Sequence, residues 1–472
     1  MTAMTDLRQA ARWLRDGVAV GDVSTAFRRV HTDTRTLQAG DLFVALKGER
    51  FDANQMLAQA KACGAVAALC HPGAGLSRVG LPGIEVPDTL IALGELATGW
   101  RAQFSLALIA VTGSNGKTTV TQMLAAILRA CHPATMLATQ GNFNNAIGVP
   151  LTLLRLHSRH RIAAVELGMN HPGEIARLAA MARPTVALVN NAQREHLEFM
   201  SSVDAVAHEN GSVIHALADD GVAVFPRDDA FADLWTSMAA KRRTLRFAVG
   251  DGAADIRCQA PHWHSGAWHI QATTPLGGLA FPLRIAGLHN VHNALAAASC
   301  AIAAGVGLEP IARGLEEFEP VQGRSRAITL HAGNHTCTLI DDSYNANPDS
   351  VAAALALLAG LPTPRLRVLG DMGEVGEQGK TFHAQAGELA QQLGIESLFT
   401  LGELASAASQ CFSGARHFDH IDALNAAVLN ELPRHASVLV KGSRFMQMER
   451  VVQAITRHAQ PLAADKQEVS CC

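Results

Sequence analysis

Apolar residues along this chain fall into short runs, each ending at a polar loop before a helical pattern begins. Leu106 to Val111, Ile162 to Leu167 and Val186 to Val189 are three such runs. Runs of this length, bounded by polar residues, read as strands, and their alternation with helices predicts a mostly parallel sheet. Residues 1 to about 103 form a smaller unit ahead of them, with an amphipathic helix from Asp6 to Asp16, a strand over Asp41–Leu46 and shorter alternating signals to Val86. Residues from about 220 to 286 are richer in strand pattern and read as an insertion or flanking sheet. Gly287 to Asn293 then opens an Ala-rich helix to about Ala304.

From Pro320 onward one pattern occurs four times, a strand leading to a polar loop and a helix. Leu339-Ile340 leads to Asp341–Pro348, Arg367–Leu369 to Gly370–Glu374, Leu398–Thr400 to Gly402-Glu403, and Val438–Val440 to Lys441–Arg444. Asn347 followed by Pro348 suits an N-cap with proline at the first helical position. Doubly wound sheets bind ligands beyond the carboxyl ends of their strands, where all four loops belong. At 472 residues the length also fits about three domains. The reading is therefore an α/β chain of three domains: residues 1–103, a central phosphate-loop domain over 104–319, a Rossmann-like domain over 320–460, and a tail over 461–472.

The strand ending at Thr112 runs into Gly113-Ser114-Asn115-Gly116-Lys117-Thr118-Thr119, and a helical pattern follows from Val120 to Leu128. That is the layout of a phosphate-binding loop. Its backbone N–H groups and helix N-terminus face the phosphates, Lys117 reaches the terminal ones, and Thr118 suits Mg²⁺. Only Ser114 and Asn115 separate the glycines, a shorter spacing than the common consensus. A nucleoside triphosphate, ATP, is the expected ligand.

Composition narrows the partners. A net charge of −3 gives no reason to expect nucleic acid or an anionic membrane. No apolar stretch is long enough to span a bilayer, and Met1–Arg15 lacks a signal-peptide pattern. The nine cysteines, Cys63, Cys70 and Cys300 among them, read as reduced core residues of a cytoplasmic protein. Cys471-Cys472 ends the polar tail, where a frayed end and a lipidation site are the alternatives. His262, His264 and His269 lie in a strand-like hairpin with Trp263 and Trp268, read as structural rather than metal-binding.

Several polar residues sit where strands stop. Glu166 follows Ala163-Ala164-Val165 and suits the Mg²⁺ shell that Thr118 begins, a capping or ion-paired glutamate being the alternative. His196, a few residues beyond Val189, reads on its own more often as a surface or packing histidine. Asn290 and Asn293 suit an adenine edge, with helix capping as the alternative for Asn290. Asp342 suits a ribose hydroxyl.

Taken together, the loop from Thr112 to Thr119, Glu166, His196 and the Asn290/Asn293 pair resemble the Mur ligase family over about residues 25 to 455. Within it, Glu166–Ile175, Asp341–Ser350, Leu369–Glu374 and Val440–Arg444 resemble the branch that adds D-alanyl-D-alanine. The resemblance implies ATP-dependent amide synthesis in peptidoglycan precursor assembly, joining D-alanyl-D-alanine to a UDP-N-acetylmuramoyl-tripeptide through an acyl phosphate. It makes Lys117, Glu166 and His196 catalytic and assigns Mg²⁺ to Thr118, Glu166 and His196. ATP falls to Gly113 through Thr119 with Asn290, Asn293, Arg324 and Asp342. Asp33, Thr34, Arg35 and Lys47 match a UDP-holding region; Thr139, Asn142, Asn144 and Asn145 a sugar-peptide loop. Tyr344, Asn345 and Asn347 fall in the third domain's substrate motif. A monomer is expected. Other amide ligases of the superfamily, such as a folylpolyglutamate synthetase, would share the ATP machinery. One departure stands out: where many members carry a carbamoylated lysine that helps hold a second Mg²⁺, this chain has Asn210.

Overall fold

A computed structural model describes residues 3–250, 252–332 and 335–461. Cys471, Cys472 and the rest of the expected tail beyond Pro461 lie outside the described residues. Three large sheets organise the chain, beside a two-stranded pairing of Thr5–Asp6 with Ala26–Phe27. The first has five strands in the order Val18–Val20, Gly83–Glu85, Ala65–Cys70, Asp41–Val44 and Arg29–His31, parallel except at its first pairing. The helix expected from Asp6 to Asp16 is shorter, Leu7–Trp13, because Asp6 caps it by accepting the Gln9 N–H and Leu14 is already extended.

The second sheet holds β1 (Ala107–Thr112), which runs into α1 (Lys117–Cys131), together with β2 (Ile162–Glu166) and β3 (Val186–Val189). β1 lies between β2 and β3 and is parallel to both, so the loops after all three open at one carboxyl edge. Alternation explains the burial. Leu108, Ala110, Ala163 and Val165 face a core continuous with the first sheet, whereas Ile109, Val111, Ile162 and Ala164 face α1 and the helix α2 (Leu288–Ala303). The segment expected as an insertion or flanking sheet over 220–286 instead extends this one. Val222–Pro226, Arg243–Val249 and Ile256–Cys258 add parallel strands, and only His262–His264, Ala267–Thr274 and Gly277–Leu283 are antiparallel. Val222–Pro226 is buried throughout, which an exposed flank would not allow.

The third sheet is built on β4 (His335–Asp342), followed by α3 (Pro348–Ala359), then β5 (Arg365–Gly370), β6 (Ser397–Leu401) and β7 (Ser437–Lys441), parallel in the order β6-β5-β7-β4. Asn347 caps α3 reciprocally with Ser350, and Pro348 opens it. All four polar loops share the carboxyl edge, but the ones after β5 and β6 supply no residue to the lining of the central cleft. β6 lies two strands from β7, and Gly402 packs on Asp371, where an added Cβ would sit 2.5 Å from the carboxylate carbon.

Not all cysteines are core residues. Cys70, Cys258, Cys300 and Cys337 are buried, but Cys63 is exposed because it ends the helix Leu57–Ala62 on its outer side, just before Gly64. All cysteines among the described residues are free thiols. No helix among them is long and apolar enough to cross a membrane.

Candidate active site

A cleft of about 860 Å³ opens where the carboxyl edges of the second and third sheets meet. The phosphate loop forms one wall. Gly113 and Gly116 hold φ of +132° and +82°, and a Cβ on Gly116 would lie 2.3 Å from the Asn293 side-chain oxygen. α1 starts at Lys117, whose Nζ donates to Gly113 O (2.6 Å), Ser114 O (3.0 Å) and Glu195 Oε1 (2.9 Å).

Neutral amides mould this loop. Asn191 accepts the Asn115 N–H (2.8 Å) and donates back to Asn115 O (3.1 Å), while Asn190 Nδ2 bridges Asn115 O and Asn293 Oδ1. Asn210 Oδ1 accepts from Thr112 Oγ1 (2.6 Å) and the Gly113 N–H (3.0 Å). The residue at the departure therefore anchors the start of the loop.

Glu166 lies at the end of β2, almost fully buried. Its Oε1 accepts from Thr118 Oγ1 (3.0 Å) and Asn144 Nδ2 (2.8 Å), and its backbone N–H donates to Thr139 Oγ1 (3.0 Å). Oε2 is buried without a protein hydrogen-bond partner. A carboxylate with one unpartnered oxygen beside a threonine hydroxyl is the donor set that Mg²⁺ shares with phosphate oxygens. Asn142, Asn144 and Asn145 line the cleft, whereas Thr139 lies behind them, holding Glu166.

His196 ends the far wall. Its Nδ1 lies 2.5 Å from Glu374 Oε2 and its Nε2 3.4 Å from Glu195 Oε1. Burial works to lower its pKa, but the two adjacent carboxylates, Glu195 and Glu374, outweigh this and push it up to about 9. The Glu374 carboxyl is held below its ordinary value by the same contact. His196 and Glu374 both have positive φ, +50° and +58°, a conformation uncommon for residues bearing a Cβ and concentrated at functional sites. Among the described residues no three His, Cys, Asp or Glu side chains are grouped to hold a metal.

At the start of α2, Asn290 and Asn293 are buried. Asn293 Nδ2 donates to Asn290 Oδ1 (2.9 Å), and Asn290 Nδ2 to Ala286 O (2.7 Å). Gly287, not Asn290, occupies the cap position. Asp342 accepts from Lys441 Nζ (2.6 Å) and the Ser325 N–H (3.0 Å). The Arg324 guanidinium stacks 4.2 Å above the Tyr344 ring, and Asn345 and Asn347 complete this wall. Asp33, Thr34, Arg35 and Lys47 do not line the cleft. Arg35 pairs locally with Asp33 (2.7 Å), Lys47 forms a β-bridge with Asp52, and Leu90 is what the first unit contributes to the lining.

Three profiles of one family match the chain in succession: "Mur ligase family, catalytic domain" over 27–101, "Mur ligase middle domain" over 111–301 and "Mur ligase, glutamate ligase domain" over 324–444. The UDP-N-acetylmuramoyl-tripeptide--D-alanyl-D-alanine ligase of Escherichia coli K12 is 41% identical over 90% of this chain and 93% of its own length. The chain belongs to the Mur ligase family. Its counterpart of the same description from Bacillus subtilis is 33% identical over 91% and 93%. The crystal structure of MurF from Acinetobacter baumannii superposes with a TM-score of 0.88 at 33% identity, covering 96% of this chain and 99% of that one. MurF from Thermotoga maritima in complex with ADP shares the fold, with a TM-score of 0.79 at 24% identity over 91% and 97%.

In this Mur ligase the third sheet touches the phosphate loop directly. Asn115 and Asn347 exchange side-chain hydrogen bonds (2.9 and 3.3 Å), and Arg194 pairs with Asp349 through two nitrogens and its backbone N–H. Glu195, Asn190, Asn191 and Lys441 are site residues to which sequence reasoning gave no individual role, although Lys441 lay within the Val440–Arg444 motif. Tyr344, the single tyrosine, is half-buried on the cleft wall. Its nitration by tetranitromethane should slow when ATP and the UDP-linked substrate are both present. Equal rates with and without them would contradict a ligand-facing position.

Proposed function

We propose that this chain is the ATP-dependent ligase that joins D-alanyl-D-alanine to UDP-N-acetylmuramoyl-tripeptide in peptidoglycan precursor synthesis. The observation that carries the reading is its match, along nine-tenths of its length, to proteins of that description, together with a phosphate loop that faces the third sheet's polar loops across one cleft. We assign residues 1–103 to the UDP-linked substrate, 104–319 to ATP and 320–460 to the dipeptide and closure over the nucleotide.

The tripeptide's terminal carboxylate oxygen attacks the γ-phosphorus, and the bond to the β-phosphate oxygen breaks to release ADP. The dipeptide's amine nitrogen then attacks the acyl carbon, loses a proton, and expels inorganic phosphate as the amide forms. Two anions meet in the first step, so Lys117, swung from its present acceptors, offsets charge that grows in the transition state. Thr118 and Glu166 would hold Mg²⁺, which supplies further charge neutralisation at the phosphates. His196 joins that set only by releasing a carboxylate, and we assign it first to holding Glu195 and Glu374. Asn190, Asn191 and Asn210 fix the loop's backbone so that its N–H groups stay aimed. A site enclosed between two sheets also keeps water from the acyl phosphate.

An asparagine amide does not form a carbamate. Ligation should therefore be the same in CO₂-depleted and bicarbonate-supplemented buffer at fixed pH and ionic strength; reversible stimulation by bicarbonate would require some other lysine to supply a carbamate and would contradict ligation without one. Binding of the UDP-linked substrate separates this function from that of a folylpolyglutamate synthetase, which has no use for a UDP-sugar.

A further inference from the structure

An ammonium group has three N–H donors, and Lys117 already spends all three on Gly113 O, Ser114 O and Glu195 Oε1. Contact with a phosphate therefore requires that a partner be exchanged. Glu195 is 8% exposed, lines the cleft beside Lys117, and its second oxygen, Oε2, is buried with no protein hydrogen-bond partner. Glu166 presents a second buried, unpartnered oxygen to the same cleft. A metal-free polyphosphate entering here would take the lysine from Glu195 and face two carboxylates at once, in a setting where charge repulsion is weakly screened. A cation-complexed polyphosphate brings the positive charge that both carboxylates lack. Glu166 belongs to the cation site described above; Glu195 does not, and its distance of 3.4 Å from His196 Nε2 leaves it one cationic partner once the lysine departs.

We propose that Glu195 is a specificity residue that makes the cleft select the divalent-cation complex of the nucleotide over the metal-free polyphosphate, by holding Lys117 until a cation arrives to replace it. The inference rests on the nucleotide-binding reading above. The test is calorimetric binding of ADP to the full chain, with Mg²⁺ and with EDTA, in the wild type, Glu195→Gln and Glu195→Asp. The wild type should prefer Mg²⁺–ADP. In Glu195→Gln, metal-free ADP should bind tighter by on the order of tenfold, so that the preference for Mg²⁺–ADP shrinks by a similar factor. Glu195→Asp, which keeps the charge, should retain most of it. An unchanged preference in Glu195→Gln overturns the proposal. Should that variant fail to fold by circular dichroism, Glu195→Ala is read in the same way. A wild type that binds neither form of ADP would remove the nucleotide-binding reading itself, an outcome distinct from an unchanged ratio.

Discussion

Lys117→Ala should fold, bind the UDP-linked substrate normally, and lose ligation by on the order of 10²–10³ or more. The loss belongs in kcat rather than KM, because the charge that Lys117 offsets grows only as the phosphoryl group transfers. The structure also predicts that folding survives. Lys117 is held by two carbonyls of its own loop and one carboxylate, while the loop's shape is set by Asn190, Asn191 and Asn210. Steady-state kinetics at saturating ATP, with circular dichroism as the folding control, checks both halves. Near-normal turnover would remove the phosphate-loop assignment.

Glu166→Gln should cost a comparable factor, on the order of 10² or more, and behave differently under titration. The amide can still meet Thr118 and Asn144, which now share Oε1, so the wall of the cleft should stay in place. What disappears is the negative charge behind the unpartnered Oε2. The variant should therefore need more Mg²⁺ for half-maximal rate, and Mn²⁺ should recover part of the activity. Lys117→Ala should show no such rescue. A Glu166→Gln enzyme with unaltered Mg²⁺ dependence would mean that the carboxylate serves only as a structural acceptor for its two neighbours.

Local features were readable in the sequence because local physics makes them. The strand before the phosphate loop, the glycine turn, the helix after it and the Asn347-Pro348 cap each depend on a few adjacent residues, although that helix starts at Lys117, three residues before the pattern at Val120. Glu166 and the polar loops after β4 and β7 were legible because a parallel sheet gathers strand ends at one edge. The amide scaffold was not. Asn210 reaches Thr112 from 98 residues away, and Asn190 reaches Asn293 from 103, distances at which only the order of strands decides who meets. The same holds for the segment over 220–286, whose strand pattern was plain but whose partner in the second sheet was not. Cys63 looked like a core residue because its neighbours are small and apolar, yet it ends a helix on the outer side. Glu195 carried no signal beyond standing next to His196, and its importance arises from Lys117 folding back onto it.

The central claim is a chemical one, that the cleft couples phosphate release to amide formation between two particular substrates. Release of ADP should be followed with a coupled assay while each substrate is omitted in turn, using tripeptides that end in either meso-diaminopimelate or lysine. The product should be weighed by mass spectrometry. The account predicts sustained ADP release only when a UDP-N-acetylmuramoyl-tripeptide and D-alanyl-D-alanine are both present, with a product heavier by the dipeptide less one water. ADP release that proceeds equally well without the dipeptide, or with no pentapeptide formed, would contradict it.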